Sequence, residues 1–117
     1  MSEKRRKTLE AYTLARLILS DLRGFLDHED YRYLQRAYRL GEYAWNNGFL
    51  DEMPGLRDLY SNLKSMYELG ASKKWELSDE EFAELSHQAS YTLLRASVIA
   101  SGLNYRLKRM RGGLGNP

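Results

Sequence analysis

The chain has no cysteine. That excludes disulfides and thiolate metal sites and suits a reducing, cytoplasmic setting. Proline occurs only at Pro54 and Pro117. β-branched residues are sparse, and long stretches carry no breaker, so helix is the expected secondary structure. Apolar runs extend for only a few residues, well short of the roughly 20 that span a bilayer, so no membrane partner is expected. The basic start, Met1 to Lys7, leads into no apolar segment, and no secretory leader is read there. Phosphate-binding glycine loops, the nucleophile elbow and the zinc-binding His-Glu-x-x-His pattern are all missing. The two histidines, His28 and His87, lie far apart in sequence. These absences predict no catalytic residue, no metal, no cofactor and no small-molecule substrate.

What is present reads as an all-α, four-helix antiparallel bundle with a long C-terminal helix, one domain over 1–111 and a flexible Gly-rich tail over 112–117. Helix one is expected from about Glu3, capped by Ser2, to Gly24, with Ala11, Leu14, Ala15, Ile18, Leu22 and Phe25 on one apolar face. Helix two is expected from about His28, capped by Asp27, to Asn46. The acids of Asp27-His28-Glu29-Asp30 then sit at the positive end of its dipole rather than forming a metal or acid–base cluster. Helix three is expected to start near Pro54 and stop at Gly70, followed by a connector that Trp75 packs down. Ser78-Asp79-Glu80-Glu81 is a capping box that starts helix four. That helix is free of proline to about Arg111, about 50 Å at 1.5 Å per residue. It is expected to overhang the bundle, kink at Gly102 or pair with another copy.

The net charge of +2 hides strong segregation. Residues 1–24 carry net +3, residues 25–84 net −6 and residues 85–117 net +5. In an up-down-up-down bundle, helix one starts where helix four ends. Lys4, Arg5, Arg6 and Lys7 would then join Arg106, Lys108, Arg109 and Arg111 at one end. Cations at the end of helix four complement its dipole. Cations at the start of helix one oppose theirs, so an anionic partner explains them better than stability does.

Two side stripes extend this reading. On helix two, Arg32, Arg36 and Arg39 recur at i, i+4 and i+7, and Tyr43 continues the line. On helix four, Tyr91, Arg95, Gly102, Tyr105 and Arg109 share an outer line. Arginine for phosphates beside tyrosine for stacked bases suits a single strand of RNA or DNA held without sequence preference. The same residues also suit a protein-interaction module or homodimeric adaptor, and a chain with one basic and one acidic flank can stack head to tail.

The four-helix pattern, the Arg32/Arg36/Arg39 stripe, the Arg95/Arg106/Arg109 edge and the charge segregation together resemble the small subunits of multi-subunit CRISPR interference complexes. The resemblance covers overall architecture, with no specific sequence stretch. It implies a non-catalytic, RNA- or DNA-binding subunit of an antiviral ribonucleoprotein with other protein subunits as partners. A second resemblance rests on Arg23-Gly-Phe-Leu-Asp-His28, which is similar to the Arg-x4-6-His motif of the HEPN ribonucleases. It implies RNA cleavage by Arg23 and His28, although the pair straddles the expected end of helix one.

Overall fold

The computed structural model describes the backbone of residues 2–115 and the side chains of residues 2–110. Four helices follow in order: α1 (Glu3–His28), α2 (Tyr31–Asn46), α3 (Leu56–Ser72) and α4 (Asp79–Gly115). Neighbours in sequence are neighbours in space, and α1 packs against α4 to close the ring. The α1–α4 interface is the most extensive and α3–α4 the least, while among the described residues the backbones of the diagonal pairs stay apart and Tyr31 of α2 meets Phe82 of α4 edge to face (6.2 Å). The molecule measures 59 × 25 × 18 Å, its long axis matching the long α4.

Local chemistry sets the helix ends. The Ser2 hydroxyl accepts the Arg5 N–H (3.1 Å), satisfying one of the orphan donors at the start of α1. The helix runs four residues past Gly24, which is not a stop. A Cβ at Gly24 would lie 2.6 Å from the Tyr33 ring, so the glycine lets α2 approach closely. α1 ends where Glu29 turns left-handed (φ 53°) and its N–H reaches the Phe25 carbonyl. The extended Asp30 follows and caps α2 by accepting the Arg32 N–H at 2.9 Å. Thus Asp30, not Asp27, is the cap, and α2 begins three residues later than the sequence suggests. Pro54 lies in the turn before α3, and Gly55 (φ 94°) stands at its start.

Gly70 likewise does not stop α3. Lys74 and Trp75 turn left-handed, the Trp75 N–H returns to the Gly70 carbonyl (2.8 Å), and the indole covers Gly70. The capping box at α4 forms as read: the Ser78 N–H donates to Glu81 Oε1 (3.0 Å), and the Glu81 N–H to Ser78 Oγ (3.2 Å). α4 passes uninterrupted through Gly102 and on to Gly115. The expected flexible tail is therefore helical over 112–115. Glycine costs about 1 kcal/mol per helical position, and with no proline between Pro54 and Pro117 an established helix can propagate through it. Residues 116–117 lie outside the described part.

The apolar faces meet in one core. Ile18, Leu22 and Phe25 of α1, Leu34 of α2, Leu59 and Leu63 of α3, and Leu85 and Leu103 of α4 are fully buried. Each such side chain contributes about 1.5–3 kcal/mol. Phe49 and Met53 plug the bundle from the α2–α3 loop. Aromatic rings continue the α2–α3 seam: Trp45 on Tyr60 (5.5 Å), Tyr38 on Tyr67 (4.3 Å), Tyr67 against Trp75 (5.6 Å) and Trp75 against Tyr31 (5.3 Å). Four of the nine tyrosines are thereby taken up in packing. The Tyr38 hydroxyl donates to Glu42 (2.9 Å), and that bond raises its pKa above the ordinary tyrosine range.

Candidate nucleic-acid interface

The bundle gathers the charged segments at its two ends. Arg5 and Lys108 line one surface hollow with Leu9, Tyr12, Asn104 and Leu107, so the start of α1 and the end of α4 do meet. The α2–α3 loop joins them: Lys7 Nζ lies 5.3 Å from the Phe49 ring centre and 4.0 Å from Glu52, and Arg106 donates to the Glu52 carbonyl (3.2 Å). Lys4 and Arg5 have no carboxylate partner among the described residues, whereas Arg6 pairs with Glu3. The side chain of Arg111 lies outside the described part. The opposite end holds Asp27, Glu29, Asp30, Glu76, Asp79, Glu80 and Glu81, joined there by the Phe25–Phe82 and Tyr31–Trp75 ring contacts and by the Lys73–Glu81 pair.

The α2 stripe is partly engaged within the chain. Arg32 grips its own cap, Asp30, with Nη2 at 2.7 Å and Nε at 3.1 Å from Oδ2. Those bonds and the Arg32 N–H lower the Asp30 pKa to about 2. Arg36 reaches across to the buried Asp21 of α1 (2.7 Å) and lies 5.1 Å from the Tyr33 ring centre. Arg39 is exposed and has no ion-pair partner among the described residues. Tyr43 is half exposed, beside Leu9, Glu10 and Thr13 of α1.

On α4, tyrosine and arginine pair locally at i, i+4. Arg95 lies 5.0 Å from the Tyr91 ring centre, donates to its hydroxyl (2.7 Å) and reaches Asp58 of α3 at 3.5 Å. Arg109 lies 5.9 Å from the Tyr105 ring centre. Such cation–π contacts contribute about 0.5–1 kcal/mol at exposed sites, so these rings have a structural role in the isolated chain.

The groove between α1 and α4 adds residues the sequence reading passed over. Arg5, Tyr12, Arg16 and Arg23 follow at steps of seven, four and seven, which keeps them within about 40° on one line of α1. Arg16 donates to the Tyr12 hydroxyl (2.8 Å) and lies 5.6 Å from its ring centre. Across the groove stand Asn104 and Lys108. Arg5, Arg16, Arg23 and Lys108 form no ion pair among the described residues. The 7–4–7 spacing was the signal that could have revealed this line.

Arg23 and His28 both fall inside α1, not across its end. Five residues apart, they point about 140° from each other around the helix, and the His28 ring stacks on Tyr33 (5.6 Å). His87 is exposed on α4, near Asn62 and Ser65. Among the described residues no group of histidine and acidic side chains could hold a metal ion, and no helix is long and apolar enough to cross a membrane. Comparison with protein-family models, with curated proteins and with solved structures finds no match.

Proposed function

We propose that this chain is a non-catalytic nucleic-acid-binding subunit of a larger ribonucleoprotein, of the kind represented by the small subunits of CRISPR interference complexes. It holds the phosphate backbone of single-stranded RNA or DNA. The observation that carries this reading is the α1–α4 hollow lined by Arg5 and Lys108, with Arg16 and Arg23 continuing the Arg5–Tyr12 line along α1; among the described residues none of these four cations pairs with a carboxylate. A cation already in an ion pair must give up that pair to bind phosphate; among the described residues these four have no ion pair to give up, and Arg16 gives up only its bond to the Tyr12 hydroxyl. Tyr12 supplies a ring within the same line, a surface on which a base can stack. Lys4 and Arg5 also oppose the α1 dipole, a cost that an anionic ligand offsets. Arg106 and Arg109 extend the positive field around the same end, and Arg39 adds an exposed cation midway along α2. Arg32, Arg36 and Arg95 contribute less, because Asp30, Asp21 and Asp58 engage them.

Fluorescence anisotropy with labelled oligo-U RNA and oligo-dT DNA tests the reading. Replacing Arg5, Arg16 and Arg23 together by Ala should weaken binding by about tenfold or more at low salt, as expected for three lost phosphate contacts. Replacing Arg57 and Lys64 of α3 by Ala, which also removes exposed positive charge, should change it little. Absence of binding by the unaltered chain, or equal losses in the two variants, would defeat the proposal.

A further inference from the structure

The back of α4 carries a second surface that the groove does not use. Tyr91 (52% exposed), Leu94 (63%), Val98 (72%) and Tyr105 (63%) are large apolar side chains left open to solvent. With Ser101 they follow at steps of three, four, three and four, which is the spacing of a helix–helix seam. They lie on the side of α4 opposite its buried line, Leu85, Ala89, Ala96 and Leu103. Beside Ser101, the Cβ side of Gly102 has no atom within 4 Å.

We propose that this seam is the interface of a homodimer, in which two copies of the chain pack antiparallel along α4. Charge selects both the occupant and its direction. The first turns of α4 carry Asp79, Glu80, Glu81 and Glu84, and its last described turns carry Arg106, Lys108 and Arg109. A second copy running parallel would set like charges and like helix dipoles side by side. Running antiparallel, it sets acids against cations at both ends. The spacing also fixes a register. With the two-fold axis midway between Leu94 and Val98, Leu94 of each copy meets Val98 of the other. Tyr91 then faces the small Ser101, His87 faces Tyr105, and Glu84 faces Lys108. Arg95 flanks the seam with its charge answered by Asp58 of its own chain. In this dimer Tyr91 and Tyr105 serve self-association and not base stacking. The α1 side of the groove stays open, so the dimer stands or falls independently of nucleic-acid binding.

Light scattering on the full chain at tens of micromolar tests the proposal. The expected mass is twice the 13.7 kDa of one chain. The Leu94→Glu/Val98→Glu variant should fall to a single chain with an unchanged circular-dichroism spectrum, because the core uses neither side chain. The absence of cysteine makes direction measurable by oxidative cross-linking. Glu84→Cys with Lys108→Cys in one chain should yield a covalent dimer, whereas Glu84→Cys alone should not. A monomeric unaltered chain, a dimer that survives the two glutamates, or efficient cross-linking through Glu84→Cys alone would overturn it.

Discussion

The same change, glycine to alanine inside a helix, should have opposite effects at Gly70 and Gly102. By propensity alone both substitutions stabilise by about 1 kcal/mol. At Gly102 nothing lies within 4 Å of the new methyl group, so that gain should stand. At Gly70 the methyl would lie 2.0 Å from one Trp75 ring carbon and 2.4 Å from two others. Comfortable carbon–carbon contact is about 3.5–4.0 Å, so the ring must retreat by more than an ångström. It has little room to do so. Tyr31 and Tyr67 flank it at 5.3 and 5.6 Å, and its backbone is tied to the Gly70 carbonyl. Overpacking of this kind costs about 1–3 kcal/mol. If the ring is expelled instead, its contacts with both tyrosines are lost. We expect Gly70→Ala to lower the thermal midpoint by several degrees and to change tryptophan fluorescence, and Gly102→Ala to raise the midpoint by a few degrees. Calorimetry of the two variants beside the parent measures both. An unchanged or raised midpoint for Gly70→Ala would refute the argument that Trp75, not helix termination, is the reason for that glycine.

If four groove cations bind phosphates, log Kobs should fall against log salt with a slope near −3 for a single strand, at about −0.7 per contact. Removing Arg5, Arg16 and Arg23 should flatten that slope by about 2, whereas a variant that weakened binding with an unchanged slope would point to lost packing. The Asp30 carboxylate, held near pKa 2 by Arg32, stabilises the fold fully above the pKa of an unfolded aspartate, near 4. That contribution disappears as pH falls from about 4 towards 2. Asp30→Asn should reduce the acid sensitivity of the thermal midpoint across that window, and an identical pH profile in the variant would contradict the role given to the Asp30–Arg32 pair.

Legibility in the sequence followed the range of the interaction. The Ser78–Glu81 box and the Ser2 cap are complete within four residues, and both form as read. The inner face of α1 was equally plain, because six apolar positions repeat with the helical period. Gly24 and Gly70 misled for one shared reason. A glycine after an apolar stripe looks like a terminus, but each accommodates a ring from another segment, Tyr33 or Trp75. Asp27 was the wrong cap because the backbone becomes extended only at Asp30, after the left-handed Glu29, and three acids within four residues do not reveal where that happens. At the interface, tyrosine–arginine pairs four apart were visible in the spacing. The Asp21–Arg36 pair, fifteen residues apart and on different helices, was not. That distant carboxylate changes the standing of the α2 stripe, and helix packing alone supplies it.

The gathering of acids at one end of a 59 Å body and of cations at the other has a consequence for motion in solution. It gives the single chain a permanent dipole moment along its long axis. Near a polyanion such a body experiences a torque before it touches anything, and it arrives basic end first. Orientation during the approach shortens the search for a productive encounter, and dissolved salt confines it to about one screening length, about 10 Å at 0.1 M. Two chains paired antiparallel cancel that moment, so the dimer loses the torque that guides the monomer.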